Sequence, residues 1–406
     1  MRPRNYRIAV LSTNGKVLHN RYVFLKALAA LGNDIRVISY EQLLKSPLSS
    51  KDHNAWTERF KKKLDDYSPD FLLLFCVDYV LLHLVEQDFL LSCFPHVSLW
   101  DSNPLRSLFF LSKHRENHRF LLVLDSKIVD DLRAVGMDQA AYFPYYYADP
   151  AVFSPQKTCE QYLHPVSFAG TFAPAHMVPS RFSIGSHQKN FWTEQLISLK
   201  DAFIELRNRA KWYVDVFGYL KDKMDIWSTE FVEISDALMY SQKWIERIQL
   251  FDTLSAARID THIYGGLQGG YAGKNLNHKL NVVSPYLHLH GFLNKHTELP
   301  KLYNSSRINL CCTQFPRACH ERVFQVASCS GFILHEWKED VNSLFSPGNE
   351  IVLYRSLEEL PDLIAFYLRK EKERKRVAEA ARKRFLAEHT PLHRARRFME
   401  IAQERL

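Results

Sequence analysis

Short, largely apolar runs alternate with stretches of helical spacing, and this pattern occurs twice along the chain. A run such as PDFLLLFC has no polar side to turn toward water, so it reads as a strand covered on both faces. YRIAVLS (6–12), DIRVISY, HVSLW, RFLLVLD and AAYFP read as its neighbours. Asn20–Leu31, Trp56–Tyr67 and Tyr79–Ser92 read as the helices between them. Strands and helices that alternate in this way predict an open, doubly wound parallel sheet, whose ligands bind beyond the carboxyl ends of the strands. Residues 143–155 (FPYYYADPAVFSP) have three prolines and no helical period, and read as a linker. The pattern then restarts. PVSFAG, RIDTHIYGG, YLHLHGF, RINLCC and FILHE read as strands. Residues 189–256 read as mostly helical, with a break at Gly218; His296–Ser305, Glu321–Ser328 and 357–388 read as helices. The expectation is two α/β domains, 1–150 and 151–390, joined across a cleft, with a last helix (391–406) returning to the first.

Bulk properties narrow the class. The 406 residues exceed what one core usually supports. With 46% hydrophobic and 24% charged residues, disorder, collagen and coiled coil are excluded. The net charge of +8 suits an anionic partner. The seven cysteines have no C-x-x-C spacing, and several sit in apolar runs, so a buried, unpaired role is expected rather than a disulfide frame. The N-terminus reads as a first strand rather than a signal peptide, and no apolar run approaches the ~18 residues of a membrane span. A cytoplasmic protein is expected.

Chemistry-bearing residues cluster in the second half. TQFPRACHERVFQVASCSGFILHE (313–336) places Arg317, His320 and Arg322 around the start of a helix, where free N–H groups and the dipole favour an anion. This is the favoured diphosphate site, with Gln325 one turn further in for a ribose and Gly331 letting the next strand pass closely. Gly170 and Thr171 close the PVSFAG strand, and Arg181 and Lys189 follow within reach of an anion. Five of the fourteen glycines (265, 266, 269, 270 and 273) precede Lys274, but the spacing fits neither G-x-x-x-x-G-K-[ST] nor G-x-G-x-x-G, so neither an ATPase nor a dehydrogenase is read. Gly291 ends the following strand and joins the donor-binding set. H-x-H at His288 and His290, with His296 nearby, lacks a following Cys or carboxylate at metal spacing, so no metal site is expected. No D-x-D occurs either, which speaks against a manganese-bridged nucleotide. In the first half, Asp101 follows a strand and suits a general base, with helix capping as its competing role. His19 and Asn20 follow the first strand and suit acceptor contacts.

These segments resemble the glycosyltransferases typified by the CgeB spore-maturation protein, of the broad GT-B group. The likeness is carried by LPKLYNSSRINLCC, by HERVFQVASCSGFILHEWKEDVNSLFSPGNEIVLYRSLEELPDLIAFYL and by EHTPLHRARR, and is densest over 296–397. FLLVLDSKIVDDLRAVGMDQAAYFPYYYADPAVFSP and the WDSNP turn match more loosely. The resemblance implies two Rossmann-like domains and metal-independent transfer of a sugar from a nucleotide diphosphate sugar, as co-substrate, to a glycan, lipid-linked or protein acceptor. No cofactor is implied; a nucleic-acid binder is a third reading, based on charge alone, that lacks any stacking motif with basic interleaving. Where that family places the ribose-binding Glu this chain has Gln325, and Arg317 stands where the upstream Glu of an E-x7-E pattern belongs. An inactive nucleotide-sugar binder and a GT-B-type epimerase are the alternatives. A peripheral contact at the inner membrane face is left open by the basic stretch 369–384 and the amphipathic 391–406, against docking of that last helix onto the fold.

Overall fold

The structure is a computed structural model that describes residues 5–12, 19–39, 50–84, 89–170, 194–210, 213–265 and 284–406; the side chains of 19, 20, 50–54, 56, 84 and 89 lie outside that description. The chain divides into two units, Met1–Tyr145 with Pro391–Leu406, and Tyr146–Thr390.

The first unit holds β1 (Arg7–Ser12), β2 (Asp34–Ser39), β3 (Phe71–Phe75), β4 (His96–Trp100), β5 (His118–Val123) and β6 (Ala140–Tyr142). They pair in parallel in the order β2-β1-β3-β4-β5-β6. Every residue of β3 and β4 is buried, as expected of central strands covered on both faces, whereas β2 at the edge is half open. The chain's last helix, Pro391–Arg405, completes this unit. Its Phe398 ring lies 5.8 Å from that of Phe24, 6.3 Å from Phe71 and 6.0 Å from Phe120. The apolar side of this amphipathic helix is therefore buried in the first unit's core.

The second unit holds β7 (Val166–Ala169), β8 (Thr261–Tyr264), β9 (Leu287–His290), β10 (Ile308–Cys311), β11 (Ile333–Glu336) and β12 (Val352–Tyr354), all parallel, in the order β12-β11-β10-β7-β8-β9. Alternation along the strands splits the core in two. Phe168, Ile263, Ile308, Leu310 and Leu334 pack with Leu250 and Phe251 of the helix Thr229–Ala256. Cys311 and Ile333 point the other way, toward Val323, Phe324 and Phe385. All seven cysteines are free, five of them buried.

Several boundaries differ from the sequence reading. Gly218 lies inside the short helix Val216–Leu220; the long helices instead end at Arg209 and restart at Thr229, where the Ser228 hydroxyl accepts from the amide of Phe231 at 3.1 Å. The helix before β10 begins at Leu299, because the Asn294 side chain accepts from the amides of His296 and Thr297 and holds them in a turn. The segment 357–388 is two helices, Leu360–Arg369 and Glu371–Glu388. The Arg374 guanidinium donates to the carbonyls of Tyr367 and Leu368 and so satisfies the end of the first. β12 was not read at all. The basic run on Glu371–Glu388 is partly offset along its own helix by Glu371–Lys375, Glu373–Arg376 and Arg384–Glu388 pairs. No helix among the described residues is long and apolar enough to cross a membrane.

Buried imidazoles make the fold sensitive to acid. Burial holds His96 down to about 4 and His335 down to about 3, and pushes His118 well below its ordinary value. In the unfolded chain each titrates near 6.5, so below that pH the unfolded state binds more protons than the folded one. Their contribution is complete above about pH 6.5 and falls by up to ~1.4 kcal/mol per pH unit per histidine as the pH drops toward the folded values. Urea midpoints are expected to fall clearly between about pH 7 and about pH 5; equal midpoints would contradict the neutral burial of these rings.

Candidate functional site

In the second unit every strand points its carboxyl end to the same edge, and that edge collects the polar and glycine positions. β7 runs into Gly170, β8 into Gly265 and β9 into Gly291, while β10 leads to His320 and the helix Glu321–Ser328. The Gly170 amide donates to the Tyr264 carbonyl at 2.8 Å, and the Gly265 amide donates to the Gly291 carbonyl at 3.2 Å. Gly265 has φ +147°, and a Cβ there would lie 1.8 Å from the Gly170 carbonyl oxygen. The two segments can approach this closely only because Gly265 carries no side chain, while a Cβ on Gly170 would lie 2.7 Å from the Phe168 ring. A Cβ on Gly291 would meet open space, so no packing demand fixes that glycine.

Phe168, near the end of β7, is flanked by two guanidiniums: Arg322 lies 5.2 Å from its ring centre and Arg247 lies 5.4 Å away. Both arginines are buried. Arg322 stands in the first turn of Glu321–Ser328, and among the described residues its Nη1 has no hydrogen-bond partner. Arg247 comes from Thr229–Ala256. Burial lowers the Arg247 pKa; the neighbouring Cys312 opposes this and the Arg322 charge adds to it. Two buried like charges beside a helix N-terminus form a strong field for an anion.

The remaining expected donor residues take different parts. His320 caps the helix, its Nδ1 accepting from the Arg322 amide at 3.2 Å. Burial first, then Arg322, Arg247 and Lys243, push its pKa well below the ordinary value. His320, expected at the diphosphate site, is thus a neutral cap of the helix rather than a cation. The Arg317 Nε sits 2.8 Å from Glu339 Oε2, so its charge is offset locally. Gln325 is 2% exposed, and its Oε1 accepts from the Tyr303 hydroxyl at 3.4 Å, so the amide faces the core rather than an open ribose site. A Cβ on Gly331 would lie 2.6 Å from the Tyr303 carbonyl oxygen and 2.7 Å from Val326 Cγ1; its smallness serves packing inside the unit. Thr171, Arg181, Lys189, Lys274 and the glycines 266, 269, 270 and 273 lie outside the described residues.

Two buried charged residues near the strand ends escaped the sequence reading. Arg247 is one basic residue among many on a long helix, and only the fold brings it to Phe168. Glu336 ends β11, and a carboxylate closing an apolar strand was a legible signal. Its Oε1 accepts from the Thr313 amide at 2.7 Å and lies 3.5 Å from Lys338 Nζ. Burial lifts its pKa well above the carboxylate range; Lys338 opposes that shift and Glu246 reinforces it.

In the first unit, Asp101 directly follows β4. Helix capping falls instead to Asn103, whose side chain accepts from the Leu105 amide at 2.9 Å. Asp101 Oδ1 accepts from Cys76 Sγ at 2.8 Å, and Oδ2 lies 3.7 Å from Arg21 Nη2, with the carboxylate side chain 22% exposed. Arg21 is also paired with Asp78 at 3.2 Å. Burial lowers the Arg21 pKa, but Asp101, Cys76, Tyr145 and Asp78 outweigh it and leave a net rise. The side chains of His19 and Asn20 lie outside the described residues.

The tightest demand at this edge is the glycine contact. Gly265→Ala is expected to destabilise the chain by at least about 1–3 kcal/mol, the cost of an ill-tolerated backbone conformation, with the clash in addition. A thermal midpoint equal to that of the parent would show that the two loops are not held this close.

Residues 242–400 match the family model described as glycosyl transferase-like. No curated protein matches the chain in sequence. Among solved structures, HepE from Anabaena in complex with UDP-glucose is similar with a TM-score of 0.56 at 10% identity, covering 98% of this chain and 100% of that one. Sucrose-phosphate synthase from Thermosynechococcus elongatus gives 0.57 at 12% identity, covering 99% of each chain. The T4 phage β-glucosyltransferase gives 0.50 at 11%, covering 98% of each. The two six-stranded parallel sheets match these structures along the length of the chain. The chain has the GT-B fold of these structures, and its residues 242–400 match the glycosyl transferase-like model.

Proposed function

We propose that the chain is a glycosyltransferase whose second unit binds a nucleotide diphosphate sugar and whose reaction passes the sugar to an acceptor hydroxyl. The observation that carries this reading is the buried Arg247–Phe168–Arg322 arrangement beside the helix N-terminus. The glycosyl transferase-like segment includes both arginines, and HepE was solved with UDP-glucose and with UDP. In the reaction a bond forms between the acceptor oxygen and the anomeric carbon. The bond from that carbon to the diphosphate breaks, and the nucleoside diphosphate leaves with the electron pair. Guanidinium groups and helix N–H donors already in place stabilise the growing negative charge without rearranging. In this reading the donor site needs no metal, because the arginines supply the positive charge.

Transfer to a panel of acceptors by chelator-treated protein, followed as release of nucleoside diphosphate, tests the activity. Turnover that appears only when manganese is restored would overturn the metal-independent part, and binding without turnover would favour the inactive binder. Arg322→Ala is expected to weaken nucleoside diphosphate binding by about 1.5–3 kcal/mol, the worth of a hydrogen bond to a charged group. Unchanged calorimetric affinity in the folded variant would move the diphosphate elsewhere.

Asp101 is the general base in the inverting form of this reaction, taking the acceptor hydroxyl proton. Cys76 and Arg21 hold its two oxygens and fix its direction. Asp101→Asn keeps the shape and removes the base. Nucleotide affinity should persist while transfer falls by ~100–10,000-fold. Full turnover in that variant would instead favour retention of configuration and a positioning role for the carboxylate.

A further inference from the structure

A second cluster of chemistry lies in the second unit, on the opposite face of the sheet from Phe168 and Ile263. In the parallel register His262 of β8 stands beside His288 of β9, and Tyr264 beside His290. With side chains alternating along a strand, these four share one face, the face where Tyr264 packs with Tyr162 and Leu302. Asp260 immediately precedes β8. Its Oδ1 is hydrogen-bonded to His288 Nε2, and its Oδ2 lies 3.7 Å from His262 Nε2. One ligand atom from each of the three residues falls within 4.8 Å of the others.

The surroundings fix the ring that matters most. His262 turns Nε2 toward Asp260, while its Nδ1 meets His290 Nε2 at 3.0 Å. An outward hydrogen bond from the second ring nitrogen is the usual support of a metal-bound imidazole, because it sets the tautomer and the ring plane. His164 stacks on the His262 ring at 3.6 Å and 11°, and is itself anchored by its Nε2 contact with the Tyr264 hydroxyl at 2.7 Å. All three candidate ligands are partly buried.

We propose that Asp260, His262 and His288 bind one divalent transition-metal ion of the zinc class, which clips the edge strand β9 to β8. A tetrahedral ion with ligands at ~2.0–2.2 Å holds them roughly 3.3–3.6 Å apart, so small side-chain rotations suffice. Two imidazoles and one carboxylate suit zinc, cobalt or nickel; calcium and magnesium favour all-oxygen sets. Three protein ligands leave a fourth position for water. The proposal concerns ligands on a sheet face and is independent of how the donor edge works.

The test uses the tag-free, full-length chain, stripped with a chelator and titrated with cobalt(II) and then zinc. The expected result is one cobalt per chain with the intense visible absorption of a tetrahedral site, displaced by one equivalent of zinc, together with a zinc-dependent rise in the thermal midpoint. His288→Ala and Asp260→Asn should abolish the cobalt spectrum. His290→Phe should weaken zinc by roughly 10–100-fold, the usual effect of losing an outer hydrogen bond, and His296→Ala should change nothing. His288 and Asp260 side chains are 41% and 46% exposed, so these two variants should fold, and circular dichroism checks it. Absence of stoichiometric cobalt or zinc binding by the folded parent chain would overturn the site and leave an Asp–His hydrogen bond. A tetrahedral spectrum that survives both His288→Ala and Asp260→Asn would overturn the ligand assignment.

Discussion

Arg247 and Arg322 share the ring of Phe168, and both are buried. Removing a charge from water costs several kcal/mol even after relaxation, and a second like charge nearby adds repulsion. The aromatic face returns part of that cost through its quadrupole. A bound diphosphate would return far more, since it meets both cations where little water screens them. Much of the second unit's local structure holds this arrangement. β7 runs between β8 and β10, which brings Phe168 to the strand ends. The His320 cap starts the helix that carries Arg322, and the 28-residue helix Thr229–Ala256 carries Arg247 in from the other side of the chain's path.

The sheets were legible because their residues leave no alternative. A run like Phe71–Phe75, buried at all five positions, cannot lie at a surface. Residue roles at the site were harder to read. Sequence shows that Arg317, His320 and Arg322 are near a helix start, but not which way each side chain turns. In the fold His320 accepts the Arg322 amide, Arg317 faces Glu339, and only Arg322 turns toward Phe168. Gln325 looked like a ligand because it lies one turn into the helix; the same position points it at Tyr303. Arg247 had no local signal at all, since its partner is 79 positions away in the sequence. The histidines show the same limit in another form. A search for a carboxylate after His288 fails, because the carboxylate lies before β8 and is brought alongside by strand pairing.

The return of the chain's end to the first unit constrains how that unit can form. Its sequence is interrupted after Tyr145 by the whole of Tyr146–Thr390, and resumes at Pro391. The resumed helix is not a surface decoration. Phe398 and Ala402 are fully buried, Asn33 Nδ2 contacts Met399 Sδ at 3.3 Å, and the Tyr6 hydroxyl reaches the Ala402 carbonyl at 3.5 Å. Until residues 391–405 arrive, Phe24, Phe71 and Phe120 lack one of their packing partners and an apolar face of β1 and β3 stands open. Contacts of such sequence separation carry a loop-closure cost before they contribute stability, so the first unit gains its last layer late. The second unit, continuous in sequence, has no such dependence. Folding of Tyr146–Thr390 shortens the effective loop that the last helix must close. The helix therefore serves as the seal of the first unit's core, and its buried apolar side is unavailable for inserting into a membrane surface.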